Sequence, residues 1–156
     1  MIRVRAMNSE KPLNSNRVLE RQAALKAVFA RIPTWEDRYK RLIEYGKKLA
    51  PMPEELHEEK LKIRGCQSQV WLHASLTPTK LIHFQADSDA LIVKGLVALL
   101  IEVYSEASAD EILGSPTDFL KDLGFEGHLS PSRANGLYAM LKQILYYAQA
   151  FKVLGA

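Results

Sequence analysis

The chain lacks most of the features that announce a chemistry. It has one cysteine, Cys66, in 156 residues. A single thiol excludes an internal disulfide, and with it a disulfide-framework fold. It also excludes a site built from several thiolates, such as a zinc ribbon or a four-cysteine cluster. Long apolar runs are absent too. The longest, Leu96 to Ile101, sits between Lys94 and Glu102 and is far too short to span a bilayer. Met1-Ile2-Arg3-Val4-Arg5 has no apolar core of signal-peptide length, and Glu10 and Glu20 argue against a transit peptide. There is no glycine-rich phosphate loop, no Ser/His/Asp order set by spacing, no internal repeat and no low-complexity segment. These absences predict a cytoplasmic protein with a reduced thiol, no membrane segment, no nucleotide, no metal and no cofactor of its own.

What is present is globular. Hydrophobic residues make up 47% and charged residues 25%, ordinary proportions for a folded domain. The length suits one domain, able to bury about two thirds of its unfolded surface. The net charge of +3 is unevenly spread: residues 1–48 hold 12 Lys and Arg against 5 Asp and Glu, and residues 49–156 hold 9 against 13. The basicity belongs to the N-terminal third alone.

Residues 1–16 are polar and read as a flexible arm, with one domain over 17–156. Val18, Leu25, Phe29 and Ile32 follow helical spacing up to Pro33, with Gln22 on the same stripe. Thr34 caps a second helix with Trp35, Tyr39, Leu42, Ile43 and Leu49 on its apolar face, stopped by Pro51-Met52-Pro53. Lys60–Arg64, Gln69–Leu76 and Leu81–Ala86 alternate like strands. For Val70, Leu72, Ala74 and Leu76 to share a face with Ile82, Phe84 and Ala86, paired positions must sum to an even number. That predicts an odd-length hairpin loop such as 77–81. Helices follow: one from about Ala90 to Tyr104, capped from Asp87-Ser88-Asp89; a short one with a capping box at Ser108 and Glu111; one from Ser115-Pro116 to Gly124; and one opened by Ser130-Pro131. The order predicts an α+β fold, with a small antiparallel sheet of about three strands packed against N-terminal and C-terminal helices.

The chemistry points to Cys66. It follows Gly65 and precedes Gln67-Ser68-Gln69, so the local chain reads as a loop tip between strand-like segments. On an extended approach Lys62 and Arg64 lie on its side, about 7 Å per step. Two cations at that range favour the thiolate, the only useful nucleophile. A small buried apolar cysteine is the competing reading, and local chemistry leaves both open.

At this point the stretch resembles a family. Gly65-Cys66-Gln67-Ser68-Gln69-Val70-Trp71 is similar to the signature of the SufE sulfur-acceptor proteins. Asp87-Ser88-Asp89-Ala90 with Ile92-Val93-Lys94-Gly95-Leu96, and His128-Leu129-Ser130-Pro131-Ser132-Arg133 with Asn135-Gly136-Leu137, resemble two further blocks of that family. Trp35-Glu36-Asp37-Arg38-Tyr39 to Gly46-Lys47 resembles its N-terminal helix. The blocks run in order over about residues 18–150. The resemblance implies a SufE/NifU-like fold and a partner, the pyridoxal-phosphate cysteine desulfurase SufS. It implies that Cys66 takes sulfur from a SufS persulfide and passes it, as its own persulfide, to a SufBCD-type cluster scaffold. The pyridoxal phosphate would belong to the partner. Free-standing enzymatic activity is not expected, and the chain would be a monomer or homodimer. Thiol exchange favours an attacking thiol with a pKa near ambient, and a lone cysteine has no neighbour to discharge its persulfide. The resting loop of this family tucks the cysteine inward, with Gly65 as the candidate hinge.

Gly65, Gln67, Ser68, Gln69, Asp89 and Arg133 are the accompanying candidates for loop control and docking. Arg133 sits in the first turn of a helix, where a cation is mildly unfavourable. Asp87 and Asp89 read first as helix caps. His73 and His83 read as sheet-surface residues, His57 as part of a solvated charged loop, His128 as a structural hydrogen-bonder and Trp71 as core packing, with cover of the sheet's other face against helices as its alternative. The alternative for the whole chain is a basic helical adaptor that binds nucleic acid through residues 17–48, with Cys66 structural. A thiol peroxidase or hydrolase lacks a positioned acid–base partner.

Overall fold

A computed structural model describes residues 15–125 and 127–155. The expected arm at 1–16 lies outside these residues except for Ser15 and Asn16. Asn16 is no loose end: its side chain accepts from the amides of Val18 and Leu19 and caps helix α1, Arg17–Ala30. Its Nδ2 also donates to the Glu111 carbonyl at 2.9 Å. Helix α2, Trp35–Lys48, starts at Thr34, whose hydroxyl accepts from the Asp37 amide. Two 3-10 turns, Glu54–Leu56 and Glu59–Leu61, lead toward the sheet.

The sheet has two strands, β1 (Val70–Leu76) and β2 (Ile82–Ser88). They pair antiparallel with Leu76 opposite Ile82 and Leu72 opposite Ala86, which makes the loop 77–81. The parity argument therefore holds. Val70, Leu72, Ile82, Phe84, Ala86 and Ser88 are buried on the shared face. The third expected strand, Lys60–Arg64, is reduced to an isolated bridge from Lys62 to Trp71. A 3-10 turn ends at Leu61, and Gly65 turns the chain away at φ 91°, so only one pair of residues has room to align. A second isolated bridge, Ile82 to Ala107, covers the opposite edge of the hairpin.

Helix α3, Leu91–Tyr104, lies across the core face of the sheet, with eight of its residues buried. It packs tightly on α2 because two glycines meet. A Cβ on Gly95 would stand 2.3 Å from the Leu42 carbonyl oxygen, and one on Gly46 would stand 3.0 Å from the Gly95 amide nitrogen. Helix α4, Ala109–Leu113, opens with the expected capping box of Ser108 and Glu111. Helix α5 is short, Phe119–Asp122, and starts later than Ser115-Pro116 suggested. Helix α6, Pro131–Val153, is capped by Ser130 and buries Gly136, Leu137, Met140, Leu141, Ile144 and Ala148. Burying each large side chain of this core contributes about 1.5–3 kcal/mol. Among the described residues, no helix is long and apolar enough to cross a membrane.

The basic faces of α1 and α2 are largely committed to the fold. The Arg21 guanidinium donates to the carbonyls of Val103, Ser105 and Glu106, completing the C-terminal end of α3. Arg38 donates to the Ile32 carbonyl and lies 5.0 Å over the Trp35 ring. Lys26 pairs with Asp122, and Arg41 with Glu44.

Candidate functional site

The segment from Arg64 to Gln69 crosses from the isolated bridge to β1. Its geometry follows from Gly65, whose positive φ no residue with a side chain adopts cheaply. That turn swings Cys66 against α6. The Cys66 Sγ donates to the Gly136 carbonyl at 3.6 Å. This approach is possible only because residue 136 is glycine: a Cβ there would lie 2.9 Å from Sγ. Cys66 is half-buried. It forms one wall of a cavity of about 300 Å³. Val93, Leu96, Leu137 and Met140 supply apolar lining, and Ser68, Ser132 and Arg133 supply polar groups.

Burial pushes the Cys66 thiol above its ordinary value. This corrects the expectation that Lys62 and Arg64 lower it. Lys62 is paired with Glu59 at 3.0 Å and sits 5.9 Å over the Trp71 ring, while Arg64 is exposed. Burial thus disfavours the thiolate, the nucleophilic form, in this position of the loop.

The other candidates converge on this loop. Gln67, Ser68 and Arg133 line the same cavity. Arg133 stands in the first turn of α6, where its backbone amide donates to Ser130 Oγ. Its guanidinium is exposed and makes no hydrogen bond or ion pair among the described residues. Asp89 does not cap α3; Ala90 holds the cap position without a side-chain bond. Asp89 instead grips Gln69, accepting from its amide at 3.0 Å and from its side chain at 3.1 Å. Asp87 is not a cap either. It accepts from His57 Nε2 at 2.7 Å and pairs with Lys94 at 3.3 Å. Both aspartates are drawn from the helix start because the returning strand sets them beside β1 and the 3-10 turns.

His57 corrects the sequence reading most plainly. It lies not in solvent but with 15% of its side chain exposed, edge-on to Trp71 at 4.7 Å between centroids. The bond to Asp87 raises the His57 pKa above its ordinary 6.5. Burial works against the Asp87 carboxylate, but the His57 bond, the Ser88 amide and Lys94 together hold its pKa below the ordinary value. His128 stacks on Trp35 at 3.8 Å, and its carbonyl accepts from the Tyr39 hydroxyl. His83 pairs with Glu106, and Trp71 is half-buried outside the core, packed against His57 and Lys62 on the second sheet face. Among the described residues, no group of three or more His, Cys, Asp or Glu side chains gathers to hold a metal.

Gly136 and His57 were both missed as site residues. A glycine inside a long helix is a signal, since it costs about 1 kcal/mol relative to alanine. His57 carries no such mark.

Three likenesses to known proteins accompany this geometry. The family described as "Fe-S metabolism associated domain", SufE, matches residues 23–148. An uncharacterised SufE-like protein of Synechocystis is 40% identical over 146 residues, covering 94% of this chain and 87% of its own. The solution structure of a hypothetical protein from Thermus thermophilus superposes with a TM-score of 0.68 at 24% identity, covering 90% of this chain and 97% of that one. This last likeness carries the fold alone.

Proposed function

The chain belongs to the SufE family, with a role in iron–sulfur metabolism, and from that premise we propose that Cys66 is the sulfur-accepting residue served by a cysteine desulfurase. The observation that carries the reading is the seating of the only thiol: a half-buried sulfur on a glycine-hinged loop, beside a cavity and against a glycine of α6. A merely structural cysteine needs none of these features.

The chemistry balances without an outside oxidant. The donor enzyme holds a persulfide, R–S–SH, derived from L-cysteine. The Cys66 thiolate attacks its outer sulfur. The S–S bond of the donor breaks, the donor leaves as a thiolate, and Cys66 becomes Cys66–S–SH. The proton shed by Cys66 on activation restores the donor thiol. A scaffold nucleophile then takes the outer sulfur by the same step in reverse roles. The pyridoxal phosphate that mobilises sulfur belongs to the donor, SufS, and the onward acceptor is a SufBCD-type scaffold. The raised thiol pKa fits a carrier that stays quiet until docked. Once the loop swings out, the desolvation that suppresses the thiolate is relieved and Lys62 and Arg64 flank a solvated sulfur.

Support for the nucleic-acid alternative is thin. Arg21 and Arg38 are spent on backbone carbonyls, and Lys26 and Arg41 on carboxylates. Incubation with SufS and L-cysteine, followed by intact mass measurement, tests the carrier reading. The expected result is a gain of one sulfur, absent in Cys66→Ser. A gain that survives that substitution, or none in the unsubstituted chain, overturns it.

A further inference from the structure

The Cys66 loop has two stems, and one short junction holds both. On the outgoing side, Asp89 takes two hydrogen bonds from Gln69. On the incoming side, the Ile63 amide donates to the Val70 carbonyl at 2.8 Å, and Lys62 bridges to Trp71. Trp71 is opposite Asp87 in the hairpin register. His57 closes this arrangement, with its ring edge-on to Trp71 and its Nε2 on Asp87. Asp89 thus holds the outgoing side directly, and Asp87 reaches the incoming side through His57 and Trp71, to which Lys62 bridges. Asp87 lies near the end of β2 and Asp89 begins the turn into α3.

The surroundings of His57 fit only its protonated form well. Nε2 meets Asp87 from β2, and Nδ1 lies 3.9 Å from the Glu54 carboxylate of the first 3-10 turn. Nδ1 is buried and makes no hydrogen bond among the described residues. The nearby cations act indirectly: Lys94 of α3 rests on the other oxygen of Asp87, and Lys62 lies over Trp71. A neutral ring that keeps its Nε2 proton for Asp87 turns the Nδ1 lone pair toward Glu54. The imidazolium faces two carboxylates with a proton on each nitrogen.

We propose that His57 is a positioning residue that latches the Cys66 loop through Asp87 and Trp71, and that loss of its proton loosens the latch. The proposal rests on the reading of Cys66 as a mobile sulfur acceptor. His57 touches no reacting atom. It sets how often the thiol leaves its cavity, and so makes delivery of sulfur sensitive to pH above about 6.5, the ordinary histidine value.

The sign follows from linkage. A histidine whose pKa is raised by its partner stabilises the latched state fully below 6.5, and that stabilisation is lost as pH rises through the raised value. The test is the alkylation rate of Cys66 by iodoacetamide from pH 6 to 9, in the unsubstituted chain, His57→Gln and His57→Arg. Dividing each rate by that of His57→Gln at the same pH removes the titration of the thiol itself. The expected ratio for the unsubstituted chain is about one fifth at pH 6, rising to about one at pH 9. His57→Arg keeps its charge, so its ratio stays low throughout. Asp87→Asn should alkylate as fast as His57→Gln, which keeps the test open if the arginine variant fails to fold. A ratio that does not change with pH overturns the proposal, as does Asp87→Asn as protected as the unsubstituted chain at pH 6. The readout needs no desulfurase. A persulfide on Cys66 with a flat ratio would sink the latch and leave the carrier reading standing.

Discussion

Gly136→Ala separates the packing of the Cys66 loop from the stability of the fold. The added methyl would lie 2.9 Å from Cys66 Sγ, 3.5 Å from its Cβ and 3.6 Å from its Cα. Only the sulfur is in true overlap, since the two carbon distances are ordinary contacts. The loop relieves the overlap by moving the thiol off the Gly136 carbonyl and out of the cavity wall. Overpacking of this kind costs about 1–3 kcal/mol, and the cost falls on the tucked loop alone. At 1.4 kcal/mol per factor of ten, the swung-out population rises about five- to hundredfold. The gain in helix propensity, about 1 kcal/mol, acts on tucked and swung-out states alike and cancels from their ratio. Set against the strain on the tucked state, that gain leaves global stability lowered by about 2 kcal/mol at most, while Cys66 alkylation at pH 7.5 accelerates at least about fivefold. Thermal melts and iodoacetamide kinetics on the same preparation give both quantities. An unchanged alkylation rate in a folded variant would refute the claim that glycine at 136 exists to admit the sulfur.

Other outcomes follow from the same contacts. Asp89→Asn weakens the charge-assisted grip on Gln69, at a cost of about 1 kcal/mol to the tucked loop; Cys66 should alkylate several times faster with little change in melting temperature. Gly95→Ala forces a methyl to 2.3 Å from the Leu42 carbonyl, a backbone atom that cannot rotate away; a loss of about 3 kcal/mol or more in denaturant melts is expected. Burial works against the Glu111 carboxylate, but the Arg17 and Ser108 amides hold its pKa below the ordinary 4.5. Its contribution is present above 4.5 and lost as pH falls through the lowered value. Glu111→Gln should therefore cost about 1 kcal/mol at pH 7, with the gap closing in acid; a gap constant from pH 7 to pH 3 would refute it.

Much of the fold was legible in short-range patterns. Strand alternation set the shared face and, through parity, an odd-length loop, which the register realises as 77–81. Ser108 with Glu111, and Ser130 with Pro131, marked helix starts because a cap is a bond between near neighbours in sequence. The segment 60–64 misled because alternation over five residues does not show whether a partner strand has room to align. Asp87 and Asp89 misled for a related reason. They carry ordinary cap chemistry, and only the approach of Gln69 and His57, 20 and 30 residues away, shows where their oxygens are used.

The sequence by itself singled out the candidate atom. One thiol, set between a glycine and a polar run, needs no coordinates to be singled out. The tertiary structure decided its state. Neighbouring cations in the chain suggested a thiolate; folding instead lays the sulfur on α6, removes water from it and pushes its pKa up. Local charge is written in the sequence and acts over a few residues. Desolvation depends on what lies across the cavity, 70 positions further along the chain.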